Sequence, residues 1–207
     1  MTDPTIARGY RFAGVHCGIR PDPDRLDLAV IASDRPAAAA GVFTQNRVVA
    51  APVRVCRERL PSPDIRGVVI CSGNANACTG ELGLTDARRM AQLTAAGLGC
   101  RPEQVLVAST GVIGRHLPMA ALESGIPRAV DQLDPGIESL DAAARAILTT
   151  DTTIKVATRT VSLDGRDVHV TGLAKGAAMI GPNLATMLGF VLTDAAVAQA
   201  DLHVVLA

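Results

Sequence analysis

The feature that most constrains the fold of this 207-residue chain is a series of short apolar runs near its start. Residues 26–33, 40–44, 48–55 and 67–71 are rich in Val and Ile and are separated by polar or Pro-containing breaks. Such runs suit strands better than amphipathic helices, so a β-rich layer is expected to form first. Thr85 can then cap a helix running through Asp86, Met90, Leu93 and Thr94 to a stop at Gly97, with Met90, Leu93 and Leu98 on its inner side. A strand over 105–108 follows. Residues 117–133 read as one or two short helices interrupted at Pro127, and 139–148 as a helix with Leu140, Ala144 and Ile147 on one face. A hairpin comes next, since 155–163 and 168–171 flank Asp164-Gly165, a dipeptide that accepts the positive φ of a tight turn. Residues 187–193 are expected to form a buried strand and 195–206 a final helix. Strands and helices mixed without a regular βαβ rhythm imply an α+β fold, with mixed sheets and packed helices.

Four aromatic residues, Tyr10, Phe12, Phe43 and Phe190, leave the core to Val, Ile, Leu and Ala. With 48% hydrophobic and 19% charged residues the chain is globular and unusually apolar for its size. That surplus suggests a surface covered by a partner or by further polypeptide. Twenty basic and twenty acidic residues cancel without a Lys/Arg block, which argues against nucleic acid and anionic membrane as partners and favours small neutral or zwitterionic ligands. The opening MTDPTIARGYR lacks an apolar h-region and no run approaches a membrane span, so a cytoplasmic location is expected. Five cysteines (Cys17, Cys56, Cys71, Cys78, Cys100) without a CxxC pair argue against a disulfide framework or a zinc knuckle and are expected to act as buried small hydrophobes. The four histidines, His16, His116, His169 and His203, lack metal-ligand spacing.

Chemistry concentrates where rare residues fall. Of the basic residues only Lys155 and Lys175 are lysines, and all four asparagines (Asn46, Asn74, Asn76, Asn183) sit in Gly- or Pro-punctuated turns. The segment KGAAMIGPNLATMLGF, residues 175–190, contains the Ala185-Thr186 bond after a Gly-Pro-Asn turn. Threonine in mid-chain is a poor nucleophile, whereas at a new N-terminus its own α-amine serves as general base.

Together with GVFTQN (41–46), SGNANACTG (72–80), STGVIG (109–114) and TTDT (149–152), this segment makes the chain resemble the ornithine acetyltransferase family, also called glutamate N-acetyltransferases. The resemblance is collinear from about Arg11 to Leu202. It implies the self-processing fold shared by ornithine acetyltransferases and related aminopeptidases, and cleavage at Ala185-Thr186. Thr186 then becomes the nucleophile that takes acetyl from N-acetylornithine and passes it to glutamate. By resemblance Thr110 and Gly111 form the oxyanion hole, while Thr149, Lys175 and Thr186 bind substrate, with the neighbouring Thr150 as the alternative to Thr149. The SGNANACTG loop is expected to be structural.

The resemblance also implies a precursor of roughly double this length and an α2β2 assembly. Residues 1–185 would be an α-subunit-like region and 186–207 the start of a truncated β-subunit, so the chain is expected to be a fragment or one half. No cofactor is implied, although acetyl-CoA is a possible co-substrate. Two other readings belong to different classes: an inactive scaffold that binds or oligomerises, and an N-terminal-nucleophile aminopeptidase or amidase in which water is the acceptor.

Overall fold

The structure, a computed structural model, describes residues 5–177 and 187–206. Its elements in chain order are β1 (Tyr10–Val15), β2 (Leu28–Ala39), α1 (Ala51–Arg59), β3 (Ser62–Asn74), α2 (Gly80–Leu98), a 3-10 turn (Pro102–Gln104), β4 (Val105–Val112), α3 (Met119–Asp131), α4 (Ile137–Ala146), β5 (Lys155–Leu163), β6 (Arg166–Lys175), β7 (Leu188–Thr193) and α5 (Gln199–Leu206). The α+β expectation holds. A four-stranded sheet runs β1-β2-β3-β4, and a three-stranded antiparallel sheet runs β5-β6-β7. In the first sheet only β3 and β4 are parallel, joined by the α2 crossover.

Residue parity explains why its strands read as unbroken apolar runs. Ala13, Val15, Leu28, Val30, Val69, Cys71, Val105 and Val107 pack with Val55 of α1, Met90 of α2, and Leu122 and Ile126 of α3. Their neighbours Phe12, Ala29, Ile31, Ile70 and Ala108 pack with Leu140 and Ala143 of α4 and Leu173 of β6. A sheet covered on both faces has no polar side to alternate with. The second sheet covers part of one such face, with Leu188, Phe190 and Leu192 of β7 packed against that layer.

Several local expectations give way. Residues 48–55 end inside α1, where Pro52 suits a first turn that needs no N–H, and Arg57 and Arg59 complement the carbonyl end. Residues 40–44 form no strand, and the chain beyond them turns, with the Thr44 and Asn46 side chains capturing the backbone N–H groups of Asn46 and Val48. The α2 helix starts at Gly80, ahead of Thr85, whose hydroxyl donates back to the Glu81 carbonyl; it runs through Gly97 and stops at Gly99 (φ 64°). The α3 helix continues through Pro127 as one element, with Ile126, Ala129 and Val130 buried around it. The β7 strand is only half-buried: it lies at a sheet edge, and Val191 on its outer face is 68% exposed. The α5 helix begins at Gln199, later than expected, and buries none of its residues. The β1 strand had no counterpart in the sequence reading. Cys56 and Cys71 are buried as expected, but Cys78 is exposed at φ 58°.

The hairpin matches its expectation. Both turn residues carry positive φ, 49° at Asp164 and 74° at Gly165, as a two-residue turn matched to strand twist requires. The N-terminal segment fastens this second sheet: the Ala7 N–H donates to Thr171 Oγ1 (2.9 Å) and the Tyr10 hydroxyl to the Thr193 carbonyl (3.1 Å). No helix among the described residues is long and apolar enough to cross a membrane.

Candidate active site

Parallel pairing puts the ends of β3 and β4 side by side, so that Ser72 lies opposite Thr110 and Gly73 opposite Gly111. There the ladder becomes irregular, and Asn74 pairs with both Thr110 and Val112. The two backbones also come very close at this point. Gly111 has φ +133°, and a Cβ on it would lie 2.3 Å from the Gly73 carbonyl carbon. Only glycine fits so close to a neighbouring backbone. Thr110, one residue earlier, is buried, whereas Gly111 is exposed.

The loop that continues β3 is tied down by its asparagines, in keeping with a structural role. Asn74 donates to the Arg115 and His116 carbonyls (3.2 and 3.0 Å) and accepts the Asn76 N–H (2.8 Å). Asn76 in turn donates to the Gly83 carbonyl (2.8 Å) and accepts the Thr79 hydroxyl (2.7 Å).

From the second sheet, β6 ends by delivering Lys175 to this place. Lys175 is 2% exposed, and its ammonium donates to Thr149 Oγ1 (2.6 Å) and Thr110 Oγ1 (3.1 Å). Three residues far apart in sequence thus converge through one nitrogen. Because each threonine oxygen accepts from the ammonium, each hydroxyl proton remains free to donate elsewhere. Lys175 makes no ion pair with a carboxylate among the described residues. Burial pulls it below the ordinary lysine range; Asp151 opposes this, and Arg20 and Lys155 reinforce it.

Two residues that sequence reasoning passed over hold the arrangement. Asp151 has a fully buried side chain; its Oδ1 accepts from the Gly176 N–H (2.7 Å) and Lys155 Nζ (2.6 Å), and its Oδ2 from the Thr149 N–H (3.4 Å). Burial alone would raise this carboxyl, but the donors from Lys155, Gly176 and Thr149 outweigh it and hold it at about 2. Arg20 reaches the Ser72 hydroxyl (3.0 Å) and the Leu148 carbonyl, while Arg25 donates to the Thr149 carbonyl (2.9 Å). Asp151 was visible as part of TTDT, but its partner Gly176 is remote in sequence. Arg20 carried no signal.

Of the sequence-derived site, Thr110, Gly111, Thr149 and Lys175 come together. Thr150, the alternative to Thr149, is exposed. Ala185 and Thr186 lie outside the described residues, as does the boundary drawn at 185/186. The described chain resumes at Met187, and Leu188 is the register partner of Lys175.

The architecture is that of an α+β fold whose site is assembled at the junction of two sheets, and solved proteins share it. An arginine biosynthesis bifunctional protein ArgJ from Bacillus halodurans superposes with a TM-score of 0.81 at 39% identity, over 88% of this chain and 92% of that one. An ornithine acetyltransferase from Mycobacterium tuberculosis, solved in complex with ornithine, matches with a TM-score of 0.75 at 37% identity, over 87% and 93%. The sequence profile of the ArgJ family matches residues 11–207, and the chain belongs to that family. Among curated relatives, the arginine biosynthesis bifunctional protein ArgJ of Geobacter sulfurreducens is 52% identical over 92% of this chain. The corresponding protein of Thermotoga neapolitana is 50% identical over 94%. The chain spans about half the length of these curated relatives, 48% of each.

Proposed function

We propose that this chain is the α-subunit-like part of a self-processing ornithine acetyltransferase, which cleaves at Ala185-Thr186 and moves acetyl from N-acetylornithine to glutamate. The observation that carries the reading is the Lys175 ammonium bonded to both Thr110 and Thr149, at the start of the segment that contains the Ala185-Thr186 bond. In cleavage, the Thr186 hydroxyl adds to the Ala185 carbonyl and the C–N bond breaks. That break, with the hydroxyl proton passing to the departing nitrogen, frees the Thr186 α-amine and leaves an ester on its oxygen, which water hydrolyses to release the Ala185 carboxylate and restore the hydroxyl. That amine, with a reference pKa of about 7.7 to 8.0, accepts the hydroxyl proton as Thr186 attacks the acetyl carbonyl. Ornithine leaves, and glutamate then takes the acetyl group from Thr186.

Both steps pass through a tetrahedral oxyanion. The Thr110 hydroxyl, its oxygen already accepting from Lys175, keeps a proton to donate, and the backbone N–H of Gly111, an exposed residue, is assigned as the second donor. Lys175 has one N–H beyond its two threonine bonds with which to meet a substrate carboxylate. The curated relatives' greater length supports a completing β-subunit; the α2β2 assembly and the cytoplasmic location rest on the sequence and its family resemblance. Acetyl-CoA is retained as a possible second donor. Similarity to a structure solved with ornithine favours acyl transfer over the peptidase and scaffold readings.

Intact-mass measurement on the full-length polypeptide tests the proposal. Wild type should separate into two chains at Ala185-Thr186, and Thr186→Ala should stay whole. Cleavage that persists in Thr186→Ala would remove Thr186 as nucleophile. Peptide hydrolysis without glutamate acetylation would move the assignment to an aminopeptidase.

A further inference from the structure

The Asp151 carboxylate has no part in the chemistry above, yet it bonds the backbones of both segments the chemistry needs. Thr149 arrives from the loop after α4, and Lys175 from the end of β6. Nothing in the β-ladder joins them, because β5, the strand next to β6, begins at Lys155, beyond the Thr149 loop. What joins their backbones is Asp151, which accepts the N–H of Thr149 on one oxygen and the N–H of Gly176, the residue after Lys175, on the other. Its side chain is 0% exposed, which shields the carboxylate from water. Lys155 shares Oδ1 but is itself 45% exposed, which leaves the Gly176 N–H (2.7 Å) as the short, buried contact and the Thr149 N–H (3.4 Å) as a longer, partly buried one.

We infer that Asp151 is a positioning residue for cleavage and acetyl transfer: its buried carboxylate clamps the Thr149 and Gly176 backbones together, fixing the Thr149 hydroxyl against the Lys175 ammonium and setting the direction in which the chain leaves Lys175 toward Ala185-Thr186. The inference rests on the acetyltransferase reading for its consequence, but not for its geometry. It has an electrostatic corollary. The charges acting on Lys175 are Asp151, which favours the ammonium, and Arg20 and Lys155, which oppose it. Removing the Asp151 charge leaves only repulsion, so Lys175 loses its proton at lower pH.

The test uses Asp151→Asn in the full-length polypeptide, with a second readout in the wild type. In Asp151→Asn an NH2 group replaces one acceptor oxygen, so one backbone donor loses its partner. A hydrogen bond to a charged group of this kind corresponds to about tenfold to a hundredfold in rate. Cleavage is therefore expected to slow by that factor, and the alkaline limb of acetyl transfer to move to lower pH. A merely structural residue would not move that limb. Wild-type cleavage rate and an unmoved limb in a folded Asp151→Asn overturn the inference.

Hydrogen exchange on the wild-type amides of Thr149 and Gly176 decides the case if the variant does not fold. Strong protection of both supports the clamp, and exchange at the rate of free amides overturns it. If the wild type itself stays uncleaved at Ala185-Thr186, the acetyltransferase reading falls, while the exchange measurement still reports on Asp151.

Discussion

Replacing Gly111 by Ala tests the claim that β3 and β4 meet at the site with no room for a side chain. Two costs add. At φ +133° an L-residue occupies a backbone region used almost only by glycine, a strain of about 1–3 kcal/mol. The new methyl would lie 2.3 Å from the Gly73 carbonyl carbon and 2.6 Å from both the Asn74 nitrogen and the Gly73 oxygen. These are backbone atoms that cannot rotate aside, and overpacking of this kind costs a further ~1–3 kcal/mol. The sum, about 2–6 kcal/mol, lowers the urea midpoint by roughly 0.7–3 M at a slope of about 2–3 kcal/mol/M. Gly165→Ala is the matched comparison. It shares the positive φ, at 74°, but its methyl would meet no atom within 4 Å, so only about 1–2 kcal/mol of backbone strain remains. Urea titrations of the two variants and the wild type, followed by circular dichroism, give the difference directly. A Gly111→Ala midpoint no lower than that of Gly165→Ala would refute the steric argument.

In the full-length enzyme, Thr110→Val should lower kcat for acetyl transfer by about two to three powers of ten. Steady-state kinetics check this, and a change confined to KM would place Thr110 in substrate binding instead. Lys175→Met should remain folded and lose transfer activity, because an apolar chain of similar volume replaces a buried ammonium. The pH dependence of its stability has a definite sign. Lys175 in the folded state lies below its reference of 10.5, so its charged form penalises folding at neutral pH, and the penalty is relieved as pH rises through the folded pKa toward 10.5. Any stability advantage of Lys175→Met over wild type, read from denaturation at several pH values, should therefore shrink with alkalinity; one that grows would reverse the reasoning. Asp151 behaves oppositely. Lowered from 3.8 to about 2, its carboxylate contributes stability that is fully present above 3.8 and lost as pH falls through about 2, a difference worth about 2 kcal/mol. Thermal denaturation should show Asp151→Asn less stable than wild type at pH 7 and indistinguishable from it near pH 1.

The parts of the fold readable from sequence were those whose signal is local. Asp164-Gly165 fixed its hairpin because two positive φ values admit few residues, and 139–148 declared a helix through one-sided spacing of Leu140, Ala144 and Ile147. Residues 48–55 failed because an apolar run of that length suits a strand or a buried helix equally, and Pro52, the deciding residue, sits inside the run and carried no weight in that reading. At the site, the scarcity of lysine singled out Lys175, and resemblance supplied Thr110, Gly111 and Thr149. Asp151 and Arg20 stayed hidden, since their roles come from donors and acceptors far away along the chain, Gly176 for one and Ser72 and Leu148 for the other.

The register of β6 against β7 bears on what a cut between them would do. Six residue pairs, from Val170 with Thr193 to Lys175 with Leu188, lace the two strands together on either side of the Ala185-Thr186 bond. A polypeptide severed there would come apart in covalent terms only, since the ladder that stitches its two pieces is already in place. The new amino terminus would begin two residues ahead of a strand that is anchored beside Lys175, so such a maturation would need no search, no docking and no chaperoned reunion of fragments. In such a design the scission would act as a chemical edit to an assembled machine, and the β6–β7 ladder would be the jig that keeps both edges in alignment.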